Sequence, residues 1–201
     1  MLSSISRHAR WNLFWLVTIC VSLAFTACSN DDDPVSDSTD GKEYTGIPLI
    51  ILDTDIGSST DDLFAMQMLY RYADEGKCKF LGVVVDRQGE DYAALADVMN
   101  TYFGYPDLPI GLERHGIPQP SVWIDYKQLP LHKNGDALMF KTSVSDYSAL
   151  PDGWQLYRRL LSEYPDHSVS ICSTGFVSSL AQLLTSEGDS FSPLSGVELV
   201  R

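Results

Sequence analysis

The sequence predicts an α/β fold: an open, mostly parallel sheet with helices on both faces. Short apolar runs of strand length alternate with segments of helical period, and strands separated by helices pair in parallel. The composition agrees with this prediction, because the 201 residues are 44% apolar and 20% charged. Such values are typical of a globular domain.

The first predicted elements alternate regularly. They are a strand at 47–53, a helix at about 61–74, a strand at 79–86, a helix from about 91 that stops at Gly104, and a strand at 108–112. Thr60 is placed to cap the first helix, and Gly76 lies just past its end. This order is βαβαβ, with each strand leading into the next helix or loop at one edge of the sheet.

Residues 113–151 have no period and contain Pro118, Pro120, Pro130 and Pro151. Loops of this length within a domain are usually functional or disordered. Regular structure then resumes with a helix from 153 that Pro165 ends, a strand at 168–174 and a helix at 176–188. The last residues, "GVELVR", are predicted to begin another strand. We therefore expect a C-terminal part of the fold to be missing from this sequence.

The N-terminus is predicted to be an export signal. Residues 1–27 hold Arg7 and Arg10 before a long apolar run that ends in small residues. The segment "FTACSNDDD" resembles the lipobox of bacterial lipoproteins, which implies that Cys28 carries the lipid. The acidic run after it is similar to a signal that sends some lipoproteins to the cell surface. We expect a lipid-anchored protein of the bacterial cell envelope, at the outer membrane, with residues 28–46 as an acidic tether.

Charge limits the partners of the domain predicted at 47–201. Without residues 1–27 the chain has 12 basic and 27 acidic residues, a net charge of −15. Nucleic-acid backbones need clustered Lys and Arg, so a nucleic-acid partner is excluded. The charge is compatible with a bound cation and a small neutral substrate, and it leaves a homo-oligomer open.

Four carboxylates follow the first strand within "ILDTDIGSSTDD": Asp53, Asp55, Asp61 and Asp62. Asp61 and Asp62 alone could serve the helix N-terminus, where negative charge is favoured. Two like charges about 4 Å apart repel by about 4 kcal/mol at an effective dielectric of about 20, so converging carboxylates either bind protons or hold a cation. Oxygen ligands favour a hard ion, calcium or magnesium.

Three motif interpretations of this acidic segment compete, and two of them fit it poorly. An EF-hand loop counted from Asp53 would need Gly and Glu where the chain has Ser58 and Phe64, so it is excluded. A haloacid-dehalogenase-type phosphatase also begins with a strand and D-x-D, which "ILDTD" matches. Its usual Thr or Val is replaced by Gly57, and it has no Asp-Asp pair at the next helix. It remains an alternative enzyme.

The segment "ILDTDIGSSTDDLFAM" resembles the signature of the inosine-uridine-preferring nucleoside hydrolases, and "SICSTGFVSSLAQLL" resembles a second segment of that family. This resemblance implies a Rossmann-like, nucleoside-hydrolase-like fold. It also implies calcium-dependent hydrolysis of ribonucleosides to ribose and free base. The family's ribose-binding Asn after the second strand has no clear match, because "VVVDRQGED" offers Asp86 or Gln88 instead.

The resemblance also implies roles at the matching positions. Asp55 and Asp62 would ligate calcium, and Thr174 would add its main-chain carbonyl. Asp55 would take a proton from the attacking water, Asp61 would bind the ribose hydroxyls, and Asp53 would support the site without touching the metal. The alternatives that remain are a lipoprotein that binds nucleosides or other glycosides without turnover, and an inactive fragment.

Overall fold

The computed structural model describes Tyr44 and residues 46–116 and 126–201. The predicted signal peptide, Cys28 and nearly all of the predicted tether lie outside these residues. In the part of the chain that is described, no helix is both long and apolar enough to cross a membrane.

The strands are β1 (Leu49–Thr54), β2 (Lys79–Val85), β3 (Ile110–Leu112), β4 (Lys133–Asn134), β5 (Ala137–Leu138) and β6 (Val169–Ser173). The helices are α1 (Asp61–Asp74), α2 (Glu90–Tyr102), α3 (Gly153–Glu163), α4 (Ser178–Thr185) and α5 (Gly196–Leu199). Short 3-10 turns lie at Tyr126–Leu131 and Tyr147–Ala149.

Four strands form one sheet in the order β3-β2-β1-β6, and every neighbouring pair is parallel. The strands β4 and β5 form a separate antiparallel hairpin. Leu52 of β1 lies opposite Val83 on one side and Cys172 on the other. The carboxyl ends of β1, β2 and β6 therefore meet at one edge, and the predicted α/β class with a mostly parallel sheet is confirmed.

The hydrophobic core has two parts, one on each face of the sheet. Successive side chains of a strand point to opposite faces, and β1 follows this rule. Leu52 packs in a cluster with Met66 of α1 and Leu95 of α2. Ile51 packs in another with Leu156 of α3, together with part of α4. Helices therefore cover both faces of the sheet, as the alternation of strands and helices predicted.

Two local predictions from the sequence differ from the structure. Residues 196–199 form the short helix α5, so the strand predicted in "GVELVR" is wrong. Ser195 and Glu198 form a capping box, which supplies partners for the first turn of a helix. Thr60 precedes α1 as predicted, yet its side chain makes no capping hydrogen bond.

Candidate functional site at the carboxyl edge of the sheet

Hydrogen bonds hold the exits of three strands side by side at the carboxyl edge. The N–H of Thr174, after β6, donates to the carbonyl of Asp53 at 2.9 Å. The N–H of Asp86, after β2, donates to the carbonyl of Thr54 at 2.9 Å. Residues that follow these strands are therefore brought together although they are distant in sequence.

Asp62, in the first turn of α1, points into this edge and is 1% exposed. Thr54 and Thr174 both donate their hydroxyls to its Oδ1, at 2.7 and 2.8 Å. The other oxygen, Oδ2, is buried and has no hydrogen-bond partner among the described residues. Burial raises the pKa of Asp62, while the two hydroxyls oppose that shift. Asp62 thus presents one satisfied oxygen and one that lacks a donor.

Asp55 follows β1 and is half-buried. Burial raises the pKa of its carboxyl group, and the positive charge of Arg87 opposes the shift. The charge of Asp55 also raises the pKa of Asp62, so the two groups are close enough to interact. Gly175 allows this packing, because a Cβ there would lie 2.4 Å from the backbone nitrogen of Asp55.

Asp61 has a different environment from its neighbour Asp62. Its side chain is exposed, and it accepts a hydrogen bond from the hydroxyl of Ser59. This hydrogen bond lowers the pKa of Asp61. Consecutive helical residues do not face the same way, so Asp61 lies at the solvent rim while Asp62 points inward.

Asp53 is fully buried within β1. Its carboxylate accepts hydrogen bonds from the hydroxyl of Tyr157 at 2.5 Å and from that of Ser173 at 3.1 Å. Burial raises its pKa to about 7, although the Tyr157 hydrogen bond opposes the shift. Asp53 therefore ties β1 to α3 and β6, and its side chain does not reach the solvent.

The predicted calcium ligands Asp55, Asp62 and Thr174 lie at the same edge of the sheet. In the described residues, no group of three or more His, Cys, Asp or Glu side chains could hold a metal ion. Asp55, Asp62 and Thr174 do lie together, and their oxygen atoms are of the kind that calcium prefers. The unpartnered Oδ2 of Asp62 is a free acceptor for such an ion. These residues fit part of a calcium shell, which usually needs about six to eight oxygens.

The residues considered in place of a ribose-binding Asn make other contacts. Asp86 accepts hydrogen bonds from the backbone N–H groups of Ser178 and Ser179, at 3.0 and 3.2 Å, at the start of α4. Burial raises the pKa of Asp86 to about 6, and these N–H groups oppose the shift. Gln88 donates to the carbonyl of Gly116 at 2.6 Å. Both side chains thus already have protein partners.

Arg87 is the residue of this edge that sequence reasoning missed. It is 2% exposed, and its Nη1 donates to the carbonyl of Asp55 at 3.4 Å. Its Nε and Nη2 are buried and have no hydrogen-bond partner in residues 46–116 and 126–201. The available signal was its position two residues after β2, at the ligand-binding edge of a parallel sheet.

Comparison with known proteins adds no assignment. No protein-family model matches the chain, and no curated protein matches it.

Proposed function

We propose that this protein hydrolyses the N-glycosidic bond of ribonucleosides in a calcium-dependent reaction, in a Rossmann-like, nucleoside-hydrolase-like domain. The observation that carries the proposal is the unpartnered Oδ2 of Asp62 next to Asp55, at the carboxyl edge of a parallel sheet. Open α/β sheets bind ligands at this edge. A buried acceptor without a partner costs about 1–3 kcal/mol, which a bound cation would offset.

Each residue has a role in this reaction. Asp55 and Asp62 would hold calcium through carboxylate oxygens, and Thr174 would add its main-chain carbonyl. Calcium bound there would lower the pKa of its water and would orient the ribose diol. Asp55 takes the proton of the attacking water as the water oxygen bonds to the anomeric carbon. The N-glycosidic bond breaks through an oxocarbenium-like state, and the base leaves with the bonding electron pair and takes a proton from solvent. Asp61, at the exposed rim, accepts hydrogen bonds from the ribose hydroxyls.

Asp53 has a positioning role in this proposal. Its hydrogen bonds to Tyr157 and Ser173 fix the end of β1, two residues before Asp55. These hydrogen bonds do not support the phosphatase alternative, in which Asp53 would be the nucleophile. A nucleophile needs an oxygen that is free to attack, and both carboxylate oxygens of Asp53 already accept hydrogen bonds.

The direct test is release of free ribose from inosine and from uridine in the presence of calcium. We expect ribose from at least one nucleoside and its loss in Asp55→Ala. Asp136→Ala, which changes an exposed carboxylate in the β4–β5 turn, is the matched control. If no nucleoside yields ribose, the proposed activity is wrong; if Asp55→Ala retains full turnover, the role of Asp55 is wrong.

Binding without turnover is the second candidate. It is favoured by the incomplete set of charged metal ligands among the described residues. Equilibrium dialysis against labelled inosine separates the two functions. Binding that is retained for hours with no ribose formed identifies a binding protein, whereas ribose formation identifies the hydrolase.

We also propose that lipid on Cys28 anchors the protein to the bacterial outer membrane. The supporting feature is the lipobox-like sequence around this residue. Membrane fractionation of cells that express Cys28→Ser should place the variant in the soluble fraction. A variant that stays with the outer membrane would contradict the lipid anchor.

A further inference from the structure

Arg87 is held firmly at the carboxyl edge. Its guanidinium lies over the ring of Tyr92, with 4.4 Å between the guanidinium carbon and the ring centre. Gly57 packs on the same ring, since a Cβ there would come within 2.7 Å of Tyr92. Gly57 also has a φ of +117°, which favours glycine. Tyr92 and the backbone of Asp55 thus position Arg87 without using all of its donors.

Two donors of Arg87, Nε and Nη2, have no hydrogen-bond partner in the part of the chain that the structure describes. These N–H groups lie side by side on one edge of the guanidinium and form the fork that binds two oxygens at once. Arg158 is just as buried and uses the same two nitrogens on Asp189, at 2.8 and 3.3 Å. One buried arginine therefore has its fork filled by a carboxylate, while the other has an open fork.

The unpartnered atoms are concentrated at one place. Among the described residues, four buried side-chain atoms lack a hydrogen-bond partner, and three of them belong to Asp62 and Arg87. Both residues interact electrostatically with Asp55. An arginine side chain stays charged, and a buried charge is costly unless it is paired. An anionic ligand would pair the two Arg87 donors, whereas the acceptor of Asp62 calls for a cation or a donor.

We infer that the open fork of Arg87 binds an oxyanion of the substrate, a phosphate or a carboxylate, so that the substrate class is an anionic N-glycoside. This inference rests on the proposed function and narrows it. The acidic residues of the edge select a cation and the sugar hydroxyls, and Arg87 selects the anionic group. A neutral ribonucleoside would leave the fork unpaired and would be the poorer substrate.

Calorimetric titration tests the binding step without any turnover. Inorganic phosphate and, separately, acetate are titrated into the protein after a chelating resin has removed metal ions. We expect wild type to bind at least one of them. Arg87→Met and Arg87→Lys should each bind about tenfold or more weakly, since lysine keeps the charge but loses the fork. Binding of phosphate alone identifies a phosphate group, and binding of acetate identifies a carboxylate.

The control is Arg71→Met, which removes an exposed arginine that pairs with Glu75 on α1. It should bind like wild type. Circular dichroism checks that each variant is folded. If Arg87→Met is unfolded, the anion affinity of wild type is compared with that of Arg87→Lys. The inference is overturned if wild type binds neither anion, or if the folded Arg87 variants bind as tightly as wild type.

A substrate comparison distinguishes failure of this inference from failure of the proposed function. We expect a higher kcat/KM for inosine 5′-monophosphate or for a base-carboxylated nucleoside than for inosine, and loss of that preference in Arg87→Lys. Anion binding without cleavage of any N-glycosidic bond would contradict the hydrolase activity but would agree with the anion site. Cleavage of inosine with no preference for either anionic substrate would contradict the anion site alone.

Discussion

Arg158 and Arg87 have the same side chain and similar burial but opposite hydrogen bonding. Arg158, on α3, has bonds to Asp189, Ser186 and the carbonyls of Ser192 and Leu194. Within the described residues, Arg87 makes one long hydrogen bond to a backbone carbonyl, and two of its nitrogens have no partner. The first arginine has its partners within the protein. The second, at the carboxyl edge, has donors left for a ligand.

This difference in hydrogen bonding distinguishes residues that stabilise the fold from residues that are available to a ligand. A buried polar group that is fully paired holds the fold together, because each lost partner leaves another group unsatisfied. A buried polar group without partners costs stability and is retained where it has another use. Asp62 and Arg87 belong to the second kind, so the carboxyl edge is where substitutions should affect binding more than folding.

The largest effect is expected at the paired arginine. Arg158→Met keeps helix propensity but removes an ion pair with the partly exposed Asp189 and three hydrogen bonds to Ser186, Ser192 and Leu194, so the free energy of unfolding should fall by about 2–4 kcal/mol. Urea unfolding measures it. Arg159→Met, next to it on α3, loses only a 3.9 Å contact with Glu163 and should change stability by less than about 1 kcal/mol. Equal losses in the two variants would contradict the role of Arg158.

A pH-dependent effect is expected at Asp86. Burial raises its pKa from 3.8 to about 6, so the folded protein binds a proton there more tightly than the unfolded chain. The resulting stability is complete below pH 3.8 and is lost as the pH rises through about 6. Asp86→Asn should therefore reduce the fall in unfolding free energy over this window in metal-free buffer. An unchanged pH profile would show that Asp86 titrates as in the unfolded chain.

The smallest effect on stability is expected at the unpaired arginine. Arg87→Met removes two N–H groups that have no partner among the described residues, and it keeps an apolar contact with Tyr92. The free energy of unfolding should change by less than about 1 kcal/mol, because little pairing is lost. Urea unfolding beside Arg158→Met provides the comparison. A loss as large as that of Arg158→Met would mean that Arg87 is structural.

The sequence predicted the sheet and the helices well where the hydrophobic period and the segment length indicated the same element. Strand β1 and helix α1 lie where the apolar run and the N-cap position indicated. The prediction failed at 196–199 because "VELV" suits a strand or a helix, and the capping box of Ser195 and Glu198 favours the helix. Local hydrogen bonds of this kind compete with apolar pattern over short segments.

The site was only partly predictable from the sequence. The carboxyl-edge rule brings Asp55, Asp62 and Thr174 together, as expected. The outward direction of Asp61 follows from helix geometry and its contact with Ser59. The same rule points to the position of Arg87, two residues after β2, but a sequence does not show which buried donors find partners. That distinction depends on packing around Tyr92 and Asp55, which only the structure gives.

The most direct test of the central claim is calcium titration of wild type and Asp62→Asn by calorimetry. In this variant Thr54 and Thr174 can still donate to Oδ1, while the oxygen that lacks a donor is replaced. Wild type and the exposed control Asp136→Asn should bind calcium with the same affinity, and Asp62→Asn should bind about tenfold or more weakly. Equal affinity in Asp62→Asn, or no binding by wild type, would contradict the account.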